Sequence, residues 1–348
     1  MSAMIVSYRL GVGFRTGLCI FVALLTLALG AFGSVASAQS IDRQTTASAA
    51  LSDRFSAELY GGYLKGLSHE FVYDAATGKK ISELLWSIDN ATVAGLSLGL
   101  RPVERLKISV GGWMPFSSSN TMDDYDWIAP GFDDWSHWSH HSDTKLHRAY
   151  MLDARAAFTL ADFQRRPDPE KRWQVKKASL DLIGGYRWFK LDWTAYGGSY
   201  IYSSGGGIRN QTMVFPDGQP VISYEQWWEA PFVGLGGRLA IDRWTLSAEL
   251  IGSLWGKGRD RDDHHLRTLL FEESFSKVRM VALNVGIDCD LTPRLSLFTR
   301  FDYQKFFEGR GETTTTDYST GEITVDGGDA AGADFYTALY SLGLKLTF

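Results

Sequence analysis

The strongest constraint on the fold is an alternation of apolar and polar residues that runs to the last residue of the chain. Between positions 336 and 348, every second side chain is apolar: Tyr336, Ala338, Tyr340, Leu342, Leu344, Leu346 and Phe348. The same period of two recurs in segments that begin at Leu180, Trp244, Val281 and Leu295. Successive side chains of a β-strand point to opposite faces, so the pattern predicts strands with one apolar and one polar face.

Two all-β architectures use such strands. A soluble β-sandwich buries its apolar faces in a dry core, whereas a membrane barrel turns them to lipid and encloses a hydrated interior. Here the polar faces carry charges and glycines, and the apolar faces end in aromatic residues such as Tyr186, Tyr303 and Phe348. That arrangement is typical of membrane barrels, so we favour a transmembrane barrel over a secreted sandwich.

The composition excludes several other classes of protein. A mean hydropathy of -0.13 is too low for a bundle of membrane helices. Hydrophobic residues at 45% and aromatic residues at 14% exclude a disordered chain, because they can bury ample surface. A net charge of -5 gives no reason to expect a nucleic acid as partner.

The first 38 residues have the layout of a secretory signal peptide. Arg9 and Arg15 precede an apolar stretch at 17–33, and small residues at 35–38 place a cleavage site before Gln39. An uncleaved membrane anchor is the alternative. Cleavage leaves a single barrel domain at 39–348 with one cysteine, Cys289, so we expect no internal disulfide.

Turn residues give the strand count. Short connections are predicted at 101–104, 242–243 and 291–293, and a strongly charged connection at 165–172 must lie in water. With the longer loops between them, these connections imply ten antiparallel strands, an even number as bacterial barrels require. Several strands exceed the roughly 9–11 residues that cross a bilayer, so the barrel should extend above the outer membrane.

Histidines and acids gather in the longer connections. The histidines are His69, His137, His140, His141, His147, His264 and His265, and the acids are Asp123, Asp124, Asp126, Asp133, Asp134, Asp260, Asp262 and Asp263. In an extended chain Asp124 and Asp126 point the same way, as do Asp260, Asp262 and His264. An aspartate pair that faces a His–Asp pair can hold a water molecule and take its proton.

Two other interpretations of this cluster remain open. Acidic connections are often only solvated surface. Alternatively, His137, His140, His141 and His264 could bind a divalent metal. A structural zinc site is not expected, because no cysteines accompany these histidines.

The same residues resemble the omptins, outer-membrane endopeptidases of Gram-negative bacteria. The resemblance lies in GSYIYSS at 198–204, DYDW at 124–127, the Asp260-x-Asp262-x-His264 spacing and the ending LKLTF at 344–348. It runs from about position 57 to 348. It implies a ten-stranded barrel with its active site in the extracellular mouth.

By this resemblance, Asp124 and Asp126 match the family's catalytic aspartate pair, and Asp262 and His264 match its Asp–His dyad. The attacking water would lie between Asp124 and His264, and Asp262 would orient the imidazole as an aspartate does in a serine triad. Asp126 would help to place the water or the oxyanion. No acyl-enzyme is expected, because water is the nucleophile, and the resemblance implies no metal or cofactor.

The resemblance also implies the substrate class. Glu70 and Asp260 match the family acids that line the pocket for the residue before the cut, which favours Arg or Lys there. His137 stands where the family has an acid that selects a basic residue after the cut. A strict dibasic preference is therefore not expected.

Omptins need lipopolysaccharide as an activating lipid and bind it on the outer wall. Tyr186 matches that site, and Lys190 stands where the family usually has Arg. Trp188 replaces an acid and Trp227 replaces a second Arg, so we expect a weaker or altered dependence on lipopolysaccharide.

The sequence thus predicts an outer-membrane aspartyl-type endopeptidase that cleaves polypeptides after Arg or Lys. Two other functions remain open. One is a non-enzymatic barrel, an adhesin or pore with an acidic mouth, and the other is a metal-assisted hydrolase that uses the histidines.

Overall fold

The computed structural model describes residues 54–166 and 173–348. The predicted signal peptide at 1–38 lies outside these residues. The strands are β1 (Phe55–Tyr73), β2 (Lys80–Val103), β3 (Leu106–Asp126), β4 (His137–Gln164), β5 (Val175–Tyr196), β6 (Ser199–Ser204), β7 (Gly207–Val214), β8 (Pro220–Ile241), β9 (Trp244–His264), β10 (Leu269–Asp290), β11 (Leu295–Asp317) and β12 (Ile323–Thr347). The described residues contain no helix long and apolar enough to cross a membrane.

All pairings are antiparallel, and they close into a barrel. The strands follow one another around the barrel in chain order, except that β5 is followed by β8, and β12 returns to β1. The closing seam runs from Ser56 opposite Thr347 to Val72 opposite Ala331. Closure leaves no unpaired edge in the barrel, which is what a β-structure needs in lipid.

The described residues hold twelve strands, so the predicted count of ten is not confirmed. The two extra strands, β6 and β7, form a hairpin that pairs with β4 where Trp138 lies opposite Ile201. Gly197 (φ 52°) and Gly198 (φ 102°) turn the chain into this hairpin, in a backbone region that favours glycine. A Cβ on Gly198 would lie 2.3 Å from the His140 carbonyl oxygen, so the close approach also requires glycine.

The two ends of the barrel differ. The described turns between β2 and β3, between β8 and β9, and between β10 and β11 are short, and the Ser56–Thr347 end of the β1–β12 seam lies beside them. Exposed apolar side chains are concentrated in the strand halves near these turns: Leu59, Leu96, Leu98, Val110, Leu152, Leu182, Val233, Leu235, Leu342, Leu344 and Leu346. The opposite end, which we call the mouth, is built from the β1–β2, β3–β4, β5–β8, β9–β10 and β11–β12 ends.

Side chains cross the interior of the barrel and leave a cavity of about 170 Å³ around Asp153, Arg155 and Arg187. In the apolar-walled half, Arg187 donates to Asp153 at 2.7 Å, and Arg155 bridges Asp153 to Glu249 at 2.7 Å. Above these ion pairs lies a layer of buried rings, among which the ring centroids of Phe189 and Phe335 are 5.3 Å apart. The mouth therefore has a floor.

Candidate active site

The aspartate pair lies at the C-terminal end of β3. The sequence had predicted that these residues lie on a loop. β3 continues to Asp126 because it pairs with β2 on one side, where Ser82 is opposite Asp126, and with β4 on the other, where His137 is opposite Asp126. Asp124 and Asp126 both face the barrel interior, and the Ser82 hydroxyl donates to Asp124 Oδ1 at 3.4 Å. Long strands thus carry the acids into the mouth and fix their direction.

The predicted Asp–His dyad is formed at the end of β9. His264 Nε2 lies 2.6 Å from Asp262 Oδ2, and both side chains are buried, with 8% and 1% of their surface exposed. Asp263 between them faces the other way, as the period of two predicted. An imidazole that donates from Nε2 has its lone pair on Nδ1, which is therefore the nitrogen able to accept a proton.

The aspartate pair and the dyad act on each other electrostatically across the mouth. Burial and then the Asp126 charge raise the pKa of Asp124 to about 8, with a smaller contribution from Asp262, while His264 opposes the rise. Burial alone would lower the pKa of His264, but the Asp262 carboxylate outweighs it and the pKa is raised. The site thus brings together a carboxyl group and an imidazole whose pKa values are both raised.

The two acids expected to bind a basic side chain are also close to the dyad. Glu70 on β1 and Asp124 on β3 are both opposite Leu84 of β2, so they lie at the same height and face inward. Asp260 accepts a hydrogen bond from the Tyr224 hydroxyl at 2.9 Å. Burial raises the pKa of Asp260 to about 7 and raises the pKa of Glu70 well above its usual range.

His137 is the first residue of β4 and lies at the rim of the mouth. Its Nδ1 is 2.9 Å from the Ser136 hydroxyl, and its ring centroid is 4.9 Å from that of Tyr202 on β6. Burial, together with the charges of Asp124 and Asp126, raises the pKa of Tyr202, so this phenol faces the aspartate pair.

The remaining histidines do not converge. His140 contacts Asp123 at 2.9 Å, His141 contacts the Gly197 carbonyl oxygen at 2.6 Å, and His69 contacts Asp334 at 2.6 Å. No group of three or more His, Cys, Asp or Glu side chains suited to a metal ion is found in residues 54–166 and 173–348. Six of the seven histidines lie within strands rather than loops, because the strands are longer than the sequence indicated, and His265 lies in the β9–β10 turn.

Comparison with known proteins agrees with the family resemblance found in the sequence. Residues 51–348 match the model of the omptin family. The chain belongs to the omptin family. It is 33% identical to the plasminogen activator of Yersinia pestis over 85% of this chain and 90% of that protein, and 28% identical to the outer membrane protease OmpP of Escherichia coli over 85% and 91%.

The structure of the Escherichia coli outer membrane protease OmpT superimposes with a TM-score of 0.78. It covers 86% of this chain and 98% of that one, at 26% identity. This omptin is therefore an endopeptidase of the outer membrane of a Gram-negative bacterium, as the sequence predicted.

Tyr186 and Lys190 lie on the outer wall of this omptin, away from the mouth. Lys190 Nζ donates to Glu225 at 2.9 Å and lies 4.6 Å from the Trp227 ring, while Trp188 packs against Tyr186 with centroids 4.5 Å apart. Both tryptophans thus belong to the same outer face.

Sequence reasoning missed three groups in the mouth. Arg267, in the β9–β10 turn, places Nη1 3.4 Å from His264 Nδ1. Tyr224 supports Asp260, and Glu273 on β10 lies opposite Asp260. Alternation could not reveal Glu273, because a register shift between Phe275 and Val278 reverses the inward parity along β10.

Proposed function

We propose that this omptin hydrolyses peptide bonds after Arg or Lys, using a water molecule held between Asp124 and His264. The observation that supports this most directly is the arrangement of Asp124 opposite the Asp262–His264 dyad in a mouth closed at its floor. A carboxylate and an imidazole that face each other can each accept a hydrogen bond from the same water molecule.

In the proposed mechanism, His264 is the general base. Its Nδ1 takes a proton from the water as the oxygen attacks the peptide carbonyl carbon, and the same proton later passes to the leaving amine. Asp262 holds the ring through Nε2 and stabilises the imidazolium. Ionised Asp124 accepts the second hydrogen bond of the water and aligns its lone pair, with Asp126 beside it.

The basic preference follows from the acids below the dyad. Glu70 and Asp260 are 2% and 4% exposed, and no described lysine or arginine forms a salt bridge with either of them. A buried carboxylate without a cation is costly, and a substrate guanidinium supplies one in bidentate geometry. Peptides with an uncharged residue before the cut should therefore bind less tightly.

The side of the mouth that would receive the residue after the cut has His137 where the family has an acid. It is formed by the His137 and Tyr202 rings, with the Arg267 guanidinium near the dyad. A basic residue at that position would gain no carboxylate partner there, so we propose a preference on one side of the cut only.

The orientation in the membrane is part of the same proposal. Ten of the twelve strands form the closed ring that crosses the outer membrane, with the short turns in the periplasm and the mouth facing the cell exterior. Residues 1–38 would be the cleaved signal peptide that directs export, and 39–348 the barrel domain.

Lipopolysaccharide is the proposed lipid partner. Trp227 lies between Lys190 at 4.6 Å and Arg259 at 5.1 Å, and an outer groove of about 930 Å³ is lined by Trp188, Trp227, Glu229, Lys257, Arg259, Arg310 and Glu312. Cations can pair with the lipid phosphates and the tryptophans can lie at the lipid interface.

The alternative of a pore finds no support in the interior. The Arg187–Asp153–Arg155 ion pairs and the ring layer at Phe189 and Phe335 fill the cross-section below the mouth.

Cleavage-site profiling of a peptide library tests the proposal. Wild type should cut after Arg and Lys, and Asp262→Asn should slow every cut by about 10²- to 10⁴-fold, because the imidazole loses its orienting partner. Asp263→Asn, on the opposite face of β9, is the control and should cut as wild type does. A metal chelator should leave the rate unchanged. Cuts without basic preference, or an Asp262→Asn profile at wild-type rate, would contradict the proposal.

A further inference from the structure

Glu273 is a buried carboxyl that the proposed mechanism leaves without a role. It lies on β10 opposite Asp260 of β9 and opposite Thr313 of β11, and only 5% of its surface is exposed. Its neighbour Glu272 faces outward and is exposed. An acid is rarely buried unless it is paired, so the position of Glu273 calls for a partner.

Within the described part of the chain, the groups that act most strongly on Glu273 are neutral or acidic. They are Asp260 and Asp262 on β9, Glu70 on β1, Tyr224 on β8 and the Thr313 hydroxyl on β11. Among the described residues no cation forms a salt bridge with any of the three acids Glu70, Asp260 and Glu273, which we call the pocket acids.

Each pocket acid has one buried oxygen that no donor reaches. These oxygens are Glu70 Oε2, Asp260 Oδ1 and Glu273 Oε2. Glu273 approaches Asp260, and Glu70 approaches Asp262, but a hydrogen bond between two carboxyl groups needs a proton on one of them. The three oxygens therefore have unused capacity to accept hydrogen bonds, which a cation with several donors could fill.

We propose that Glu273 is a specificity-determining residue, the third carboxyl of a pocket that binds the guanidinium of a substrate arginine. The inference rests on the proposed function and deepens it. A guanidinium presents five N–H donors in a planar fork, which can serve three carboxylates together, whereas an ammonium offers three donors from one atom. The pocket acids should therefore prefer arginine to lysine as well as to neutral residues.

Binding in such a pocket is coupled to proton release. Burial and the neighbouring acids raise the pKa of Glu70, Asp260 and Glu273, so the empty pocket binds protons more tightly than exposed carboxylates do. An entering guanidinium favours the ionised acids and displaces those protons. The KM for an arginine peptide should therefore fall as the pH rises, and the pocket acids should titrate as a coupled group.

The test uses two peptides that differ only in arginine or its uncharged analogue citrulline before the cut. Kinetics are measured from pH 6 to pH 9 with the full-length barrel in its lipid. Glu273→Gln should raise the KM for the arginine peptide about tenfold or more near pH 8, because a charge-assisted hydrogen bond is lost. The kcat should change little, and the ratio of kcat/KM for arginine over citrulline should fall and depend less on pH.

Glu272→Gln is the matched control and should behave as wild type. A Glu273→Gln variant with the KM and arginine-to-citrulline ratio of the control would overturn the inference. So would an equal loss for both peptides, which indicates only a structural role. If Glu273→Gln does not fold, Glu273→Asp carries the same test, because it withdraws the carboxyl by one methylene, and an unchanged KM would again overturn it.

These outcomes are separate from failure of the proposed function. If wild type itself does not cleave after arginine, the proposed function fails whatever Glu273 does. If wild type cleaves after arginine and Glu273→Gln has the KM and the arginine-to-citrulline ratio of wild type, only the proposed role of Glu273 is refuted.

Discussion

At the scale of single residues, the site depends on acids that share a partly buried space. Asp126 is one of the charges that hold the pKa of Asp124 near 8, and Asp126 also acts on His264. The proposed base reaction needs Asp124 ionised and His264 neutral, so the rate should rise with pH on the acid side of its optimum.

Asp126→Asn tests this coupling. Removing a negative neighbour favours ionised Asp124 and neutral His264, so both pKa values should fall and the acid limb of kcat/KM should move to lower pH by about one unit. The pH dependence of kcat/KM measures this, with Asp123→Asn, which contacts His140 outside the site, as the control. A limb that stays in place or moves to higher pH contradicts the assigned coupling.

Residue parity could be predicted from the sequence, but distances across the barrel could not. The period of two placed Asp124 with Asp126, and Asp262 with His264, on common faces. Nothing local shows that β3 and β9 face each other, because that follows only from closure of the ring. Glu273 was missed because its inward position on β10 becomes meaningful only beside Asp260.

At the scale of elements, the β6–β7 hairpin supports the rim of the mouth. Arg209 donates to the Trp135 carbonyl oxygen at 2.6 Å, lies 3.5 Å from the Trp135 ring centroid and pairs with Asp134 at 2.7 Å. These contacts join the hairpin to the segment that precedes His137.

Arg209→Ala should loosen the hairpin without weakening the barrel. The lost cation–π contact and charge-assisted hydrogen bonds should lower the free energy of local opening by about 1–3 kcal/mol. Hydrogen exchange measured by mass spectrometry should show faster exchange in 199–214 and no change in β9 and β10. Arg261→Ala, on the exposed face of β9, is the control, and protection of 199–214 equal to that control would refute the assignment.

The hairpin also explains why the strand count from sequence differs from the structure. The short turns near 104, 242 and 292 were predicted because their residues favour tight turns. The hairpin was not, because the glycines at 197 and 198 indicate only that the chain turns, while pairing of β6 with β4 depends on tertiary contacts.

Trp188 and Trp227 lie on the outer faces of β5 and β8, where the barrel meets lipid. With Trp188 and Trp227 in place of charged side chains, apolar contact with lipid should replace part of the phosphate binding. Activity in phospholipid vesicles without lipopolysaccharide should therefore fall less than that of Escherichia coli OmpT measured alongside. A collapse as steep as that of OmpT would contradict this role of the two tryptophans.

At the scale of the whole molecule, the closed ring gathers residues that are far apart in sequence. The aspartate pair, the dyad and Glu70 come from β3, β9 and β1, and the floor of ion pairs and rings keeps the mouth separate from the lipid-embedded half. The all-β fold and the membrane location could be predicted from alternation and composition, because those are properties of the whole chain, whereas the export signal stays a prediction.

The central claim is that one water molecule is activated between Asp124 and His264. Its most direct test is kcat/KM for one arginine-containing peptide with folded wild type, Asp124→Asn, His264→Ala and the control Asp123→Asn. The account predicts losses of about 10²- to 10⁴-fold for the first two variants and none for the control. Cleavage by Asp124→Asn or His264→Ala at the wild-type rate would contradict it.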